Sequence, residues 1–591
     1  MKKNWRFSIL ILALLPAIWL ANDMIQRNKA ELLWGYRPLA FFLLVWVVLL
    51  LLPPFFSKKE SHVRHLLLSS LSGVMLGVGF PDIVPFPFLL FAGFVPLLLV
   101  EHEIAQRQEK QRPGLFRYAY NTFVIWNIIA TYWVANTAFA AGIAAIWLNA
   151  LLMMIPFALF HRTRKVMPRL AYAAFMAYWL AFEYIHLNWE LTWPWLTLGN
   201  GFAEFPMLIQ WYEYTGAFGG GLWILLANVL ILKMVQAKMA KTSIPRKRIL
   251  QLTALVLLPA IFSIWLFYTY EEKGTPVEIA IVQPNYEPHY QKFSIPESEQ
   301  VKQFLQLSAT VVDTATDYLV YPESSFGMVA TDEINQYEAI RNLREYFKNY
   351  TGLNIVTGLN AYYILKPGEP HTDAVRMVER RDGPMYYESL NIAAQIQIGQ
   401  EDIAIYRKSK PVPGPEIFPY SELLFFFKPL VDKLEGTTEG IGIQKERAVF
   451  DSEAGKIAPA ICYESVFGEY VTEYIRKGAQ AIFIMTNDGW WDNTAGHRQH
   501  LYFGALRAIE TRRGIARSAN TGISAFINQK GVIAQPTQYD EPAAIKGTVL
   551  FNDTITFYVR WGDIIARIAL FCSIVFLLNV ISKRLRVKYS H

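Results

Sequence analysis

"KIAPAICYES" occupies residues 456–465, and its reading decides what the C-terminal half of the chain is. The run Ile457 to Ile461 is short and uninterrupted by charge, which reads as a strand. Cys462 closes it, followed at once by Tyr463 and Glu464. It is one of two cysteines in 591 residues. One reading is a buried filler thiol. The other is a nucleophile at a strand end, which requires partners elsewhere in the chain.

Working outward from this stretch, similar strands are expected at 277–285, 317–324, 353–360, 390–397, 403–410, 481–488, 522–531 and 544–551. Amphipathic helical patterns alternate with them at 296–313, 334–350, 468–478 and 497–513. Alternating strands and helices argue for a layered α/β domain. Two more of these strands stop at a chemically useful residue. Glu323 follows "LVYP", and Lys408 lies in "IAIYRKSKPVPGPE". Strand ends are where reacting groups gather in α/β sheets. Singly, such a Glu or Lys is most simply a solvated surface residue. Together the three make a coherent set. Glu323 takes the thiol proton and later deprotonates an incoming nucleophile, and the Lys408 ammonium lowers the thiol pKa. Lys408 and the backbone N–H of Tyr463 then hold the oxyanion that forms when Cys462 attacks an acyl carbonyl. No histidine is needed.

The N-terminal half is different in kind. Overall 53% of residues are hydrophobic, and apolar runs near the bilayer-crossing length of ~20 residues recur at 7–21, 39–56, 65–80, 84–100, 119–137, 139–160, 168–186, 217–234, 249–269 and 564–582. Lys and Arg concentrate in loops 57–64, 101–118, 161–167 and 235–248 and in the tail "SKRLRVK", while 187–216 has none. The positive-inside rule therefore puts both termini in the cytoplasm and residues 270–563 outside it. Loop 22–38, with Arg27, Lys29 and Arg37, is the exception. Topology accounts for the net charge of +7, so no nucleic-acid partner is expected. The expected organisation is a transmembrane helical domain (1–269, about nine spans), an extracytoplasmic catalytic domain (270–563), and a last transmembrane helix with a basic tail (564–591).

The Glu, the Lys at Y-x-K and the Cys in "CYES" resemble the Glu-Lys-Cys triad of the nitrilase superfamily, whose fold is an α-β-β-α sandwich. With the membrane spans, the chain resembles the apolipoprotein N-acyltransferase family, the integral-membrane branch of that superfamily. "WPWLTLGNGFAEFPMLIQWYEYTGAFGG" (193–220) and "TNDGWW" (486–491), followed by "RQHLYFGALRAIETRRGIARSANTGISAFIN" (498–528), carry the likeness. The resemblance implies that Glu323 is the general base, Lys408 the oxyanion-stabilising lysine and Cys462 the nucleophile. Glu416, eight residues after Lys408, Tyr463 and Glu464 support the site, and Trp490 sits on a mobile arm over it. It also implies a two-step reaction. An acyl chain passes from a phospholipid to the cysteine as a thioester, then to the N-terminal amine of an S-diacylglyceryl-cysteine on an apolipoprotein. No metal or diffusible cofactor takes part, and the protein is expected to act as a monomer in the inner membrane with lipids as neighbours. The family pattern after the lysine, L-V-P-F-G-E, is here "PVPGPE". Residues 7–56 lie ahead of the family frame. The apolar segment 419–434, with Phe425, Phe426 and Phe427, reads either as a lid dipping into lipid or as a core helix.

Two other readings stay open at this point: a membrane-tethered nitrilase-type amidase acting on small amides, and a transporter with an accessory external domain. Glu183, within a span, is the clearest feature favouring the second. His497 and His500, three apart on a predicted helix, lack an evident third metal ligand and fit a packing role.

Overall fold

The computed structural model describes residues 5–589 except 54, 58, 107–113, 293, 382, 424–425 and 427–438. Each of the ten apolar segments is helical among the described residues. The helices are Trp5–Lys29, Arg37–Leu51, Glu60–Val78, Val95–Gln106, Leu115–Thr131, Asn149–Val166, Ala171–Asn188, Tyr212–Met239, Arg246–Thr269 and Ile564–Tyr589. Among the described residues, six helical stretches are long and apolar enough to cross a membrane, fewer than the ten spans expected from sequence. The outermost helices leave large apolar side chains uncovered, with Leu12 71% and Leu250 68% exposed. Faces this size are stable only against lipid or another apolar partner. Inner helices instead carry polar groups that pair within the bundle, the arrangement hydrocarbon favours. Asn121 donates to Ser69 Oγ at 2.8 Å and accepts from Trp46 Nε1 at 2.9 Å.

The described strands form two sheets. The larger contains β1 (Thr275–Gln283), β2 (Tyr318–Val320), β3 (Phe326–Ala330), β4 (Asn354–Ile364), β5 (Val375–Arg380), β6 (Gly383–Gln397), β7 (Ile403–Arg407) and β13 (Ala543–Phe551). Its order is β13-β1-β2-β4-β6-β5, with β3 beside β4 and β7 beside β6. The smaller runs β12-β11-β10-β9-β8, from β8 (Ile457–Ile461), β9 (Ala481–Thr486), β10 (Gly514–Ala519), β11 (Ala525–Ile527) and β12 (Ile533–Ala534).

Residue alternation shows why the sheets stack. Along β1, Val277, Ile279 and Ile281 join one core cluster, which also holds Ile457, Phe483 and Ile515 of the smaller sheet. Ala280 and Val282, pointing the other way, join a second cluster with Phe304 and Leu343. Those last two lie on helices Glu297–Ala309 and Glu338–Tyr346. Period-2 side chains that are apolar on both faces bury both faces. One meets the other sheet, where Tyr318 and Phe483 pack edge to face at 5.1 Å, and the other meets helices. Helices Gly468–Arg476 and Ala495–Thr511 pack on the smaller sheet. The layering is α-β-β-α.

Several sequence expectations are corrected. The strand expected at 522–531 shrinks to β11, and the sheet's central strand is the unexpected β10. "GIARSA" hides its strand character because Arg517 is buried by pairing with Asp488 and not by being apolar. β5 was missed because it is a largely exposed edge with no apolar face. The strand expected over 317–324 ends at Val320, so Glu323 stands in the loop beyond it.

The helical and sandwich regions interlock. Gln499 accepts from Trp133 Nε1 (3.2 Å) and Trp195 Nε1 (3.0 Å) and donates to the carbonyl of Pro81 (3.1 Å). Arg512 donates to Glu213 and Gln210. The turn between the first two helices touches the segment after β9. Gly35 N–H donates to Asp492 at 2.7 Å, and Arg498 donates to Tyr36 Oη at 2.7 Å. The exceptional basic residues of loop 22–38 have local work. Arg27 binds the Leu33 carbonyl at 2.8 Å, and Arg37 pairs with Asp23.

Candidate active site

The site forms where three loops leave the two sheets on the same side. Glu323 is delivered by the loop after β2, whose path is set by β4. Gly358 N–H donates to the Pro322 carbonyl at 3.0 Å, and Ser325 N–H donates to the Gly358 carbonyl at 2.8 Å. A Cβ on Gly358 would stand 2.6 Å from Glu323 Cα, so glycine is what permits this approach. Lys408 follows β7, and its own N–H donates to the Asn391 carbonyl of neighbouring β6 at 2.8 Å. Cys462 directly follows β8, with φ at +47°. A left-handed backbone at a non-glycine residue costs about 1–3 kcal/mol and persists only where its surroundings enforce it. It turns the thiol out of the strand line into a tight helical turn, Cys462–Val466.

The side chains converge. Lys408 Nζ, fully buried, donates to Glu323 Oε1 at 3.0 Å and to Glu416 Oε1 at 2.7 Å. Despite the "PVPGPE" wording, the loop brings Glu416 back onto Lys408: its other oxygen accepts from Val412 N–H at 2.8 Å, and Gly414, at φ +97°, supplies the turn. Burial opposes the Lys408 ammonium, but the carboxylates of Glu323 and Glu416 outweigh it and hold its pKa well above the ordinary lysine value. The lysine is a fixed positive charge. The Cys462 thiol is pushed well above its usual pKa, by burial first and then by the Glu323 carboxylate, with Lys408 opposing. At rest, sulfur keeps its proton, so a base must remove it.

Glu464 is buried and works as a clasp. It accepts from Ile461 N–H (2.9 Å), Ser409 N–H (2.7 Å), Tyr406 Oη (2.7 Å) and Tyr470 Oη (2.6 Å). The residue after Lys408 is thereby tied to the residue before Cys462. Tyr463 faces the helical region, donating to the Thr192 carbonyl at 2.8 Å and stacking on Trp195 at 6.3 Å. Trp490 lies half-buried in the turn Asp488–Trp491, edge-on to His289 at 5.1 Å. Thr137 Oγ1 donates to the Trp490 carbonyl at 3.3 Å. Most of the segment 419–434 lies outside the described residues, including Phe425 and Phe427; Phe426 is 59% exposed.

Several residues at the site were given no site role by the sequence reading, which took His500 as a packing residue. Asn391 Nδ2 donates to Glu323 Oε1 at 2.7 Å and to Glu416 Oε1 at 3.3 Å; a polar residue opening the apolar run "LNIAAQIQ" was its only signal. Lys292 is 6% exposed. Burial lowers its pKa to about 8, against the pull of the Glu323 carboxylate. Asp488, His500 and Arg517 form a buried cluster beneath Cys462.

A family model described as the apolipoprotein N-acyltransferase N-terminal domain matches residues 72–230, and one described as carbon-nitrogen hydrolase matches residues 278–555. The chain belongs to the apolipoprotein N-acyltransferase family. The apolipoprotein N-acyltransferase of Chlorobaculum tepidum is 28% identical over 519 residues, covering 85% of this chain and 93% of that protein. That of Geobacter metallireducens is 26% identical over 520 residues, covering 85% and 92%. Among solved structures, an amidase from Nesterenkonia sp. is 16% identical, covers 48% of this chain and 93% of its own, and has a TM-score of 0.32. These apolipoprotein N-acyltransferases align with the helical region as well as the sandwich, which neither an isolated amidase nor a transporter accounts for. The chain is a membrane-embedded acyltransferase of the nitrilase superfamily. The first two helices, Trp5–Lys29 and Arg37–Leu51, precede the first matched domain.

Proposed function

We propose that the protein moves an acyl chain from a phospholipid, through a thioester on Cys462, to the amine of an N-terminal S-diacylglyceryl-cysteine on an apolipoprotein. The observation that carries the mechanism is the buried Lys408, held between Glu323 and Glu416 beside a thiol on a left-handed turn. Glu323 accepts the thiol proton as sulfur attacks the ester carbonyl. The oxyanion is met by the Lys408 ammonium and the Tyr463 N–H. As the intermediate collapses, the proton on Glu323 passes to the departing lysophospholipid alkoxide. In the second half, Glu323 takes a proton from the acceptor amine, nitrogen attacks the thioester, and the thiol leaves protonated. Glu416 and Asn391 hold Lys408 and Glu323 in register, Glu464 joins the two loops, and Trp490 contacts substrate from its turn. Residues 270–563 face the outer side of the inner membrane as a monomeric catalytic domain, with both termini cytoplasmic. Both substrates are anchored in lipid, so they reach the site sideways.

The test is a mass measurement. Wild-type protein incubated with phospholipid vesicles gains one hydroxylamine-labile acyl chain on Cys462, and a diacylated lipopeptide then discharges it. Cys462→Ala gains none. Full turnover by that variant would reject the mechanism.

A further inference from the structure

Beneath the nucleophile lies a buried polar cluster that the mechanism above does not use. His500, 1% exposed, places Nε2 3.2 Å from the carbonyl oxygen of Cys462 and 3.0 Å from Ser465 Oγ. A carbonyl only accepts, so Nε2 carries a proton and donates. Ser465 Oγ donates to the same carbonyl at 2.7 Å. On the far side of the ring, Nδ1 lies 2.9 Å from Asp488 Oδ1. Asp488 is fixed in turn by Thr486 (2.7 Å) and by Arg517, all fully buried. Trp195 and Trp491 pack on the ring at 6.0 and 5.5 Å.

The consequence follows from peptide geometry. The Cys462 carbonyl and the Tyr463 N–H are two ends of one planar trans unit and point in opposite directions. Fixing the carbonyl from below fixes the direction of the N–H above. That N–H opens a helical turn, where it has no partner within the turn, and it is the donor assigned to the oxyanion. The left-handed φ of Cys462 makes the peptide costly to hold without such an anchor. We propose that His500, braced by Asp488, is a positioning residue for acyl transfer: by clamping the Cys462 carbonyl it aims the Tyr463 N–H at the developing oxyanion. The proposal rests on the acyl-transfer reading and adds a residue to it.

The test compares two reactions of one thiol in the full-length protein. Acylation by vesicles of phosphatidylethanolamine and phosphatidylglycerol passes through an oxyanion. Alkylation by iodoacetamide is a direct displacement and does not. His500→Phe keeps a ring between the tryptophans and removes the donor. It should slow acylation about 10²-fold, the scale of losing one oxyanion donor, and leave alkylation unchanged. His500→Gln, which retains an N–H donor, should restore most of the acylation. Ser465→Ala, which removes the second donor and little volume, should slow acylation alone by about tenfold, and it carries the test if His500→Phe does not fold. Wild-type acylation in His500→Phe or Ser465→Ala, or an equal loss of both reactions, would overturn the clamp. A wild-type thiol that alkylates but never gains an acyl chain overturns the acyl-transfer reading, and the clamp with it.

Discussion

Glu323 acts on Cys462 in two opposed ways. Its charge holds the proton on sulfur, yet its oxygen is the assigned acceptor of that proton. The two effects separate in Glu323→Gln. Removing the charge lowers the thiol pKa, so the thiolate fraction at any given pH rises and the rate-against-pH curve for iodoacetamide alkylation moves to lower pH. Acyl transfer in the same variant falls about 10²–10⁴-fold for want of a base. A curve moving to higher pH would contradict this assignment. Glu464→Gln tests the clasp. It turns an amide donor toward N–H and O–H groups that already donate, at a cost of about 1–3 kcal/mol for each group left unpaired. The expected readout is a lower apparent melting temperature together with slower acylation. At this scale the sequence showed the residues assigned to the reaction plainly, because an acid, an amine and a thiol stand out at or just beyond the ends of apolar runs. Asn391 did not stand out, and His500 did so only as one of a histidine pair read as packing. Their roles come from partners 68 and 38 residues away along the chain, and no local pattern encodes such a pairing.

At the scale of elements, the placement of Glu323 depends on a strand it does not belong to. Gly358→Ala would drive a methyl group into the Glu323 backbone and the Pro322 carbonyl. Overpacking of this kind costs about 1–3 kcal/mol. A misplacement near 1 Å at a reacting group costs activity about 10²-fold. Acylation should therefore fall far more steeply than the melting temperature, and a variant with wild-type acylation would show that the loop adjusts without moving its carboxylate. The elements legible in sequence were those with an apolar run or a period: β1, β2, β4, β6, β7, β8, β9 and β13 each overlap an expected strand, and the amphipathic helices fall where expected. β10 was not, since its burial is paid for by an ion pair between Arg517 and Asp488. Edge strand β5 has no buried face to leave a trace.

At the scale of the molecule, Gln499 stitches the sandwich to the helices. Gln499→Leu leaves the indole N–H groups of Trp133 and Trp195 buried without that acceptor, which costs about 1–3 kcal/mol for a group left unpaired. A lower apparent melting temperature in detergent is the expected result. The assigned orientation is checked with a cysteine at Met377, which is 54% exposed on β5. Met377→Cys should react with a membrane-impermeant maleimide in cells whose inner membrane is intact; labelling only after lysis would reverse the topology. The leading hairpin, ahead of the matched family domains, reaches the segment just after the Trp490 turn: Gly35 bonds Asp492, and Tyr36 bonds Arg498 on the following helix.

The amino-acid order alone determined that the chain has a lipid-soluble half and a layered α/β half, and it singled out the three side chains to which the chemistry is assigned. Hydropathy, strand period and residue type are local properties, readable over ten or twenty positions. Only the tertiary structure decided what surrounds those three: the second carboxylate that locks Lys408, the glycine that admits Glu323, and the histidine under the Cys462 carbonyl. Each is a contact between segments far apart in sequence, and long-range packing leaves no periodic mark on either partner.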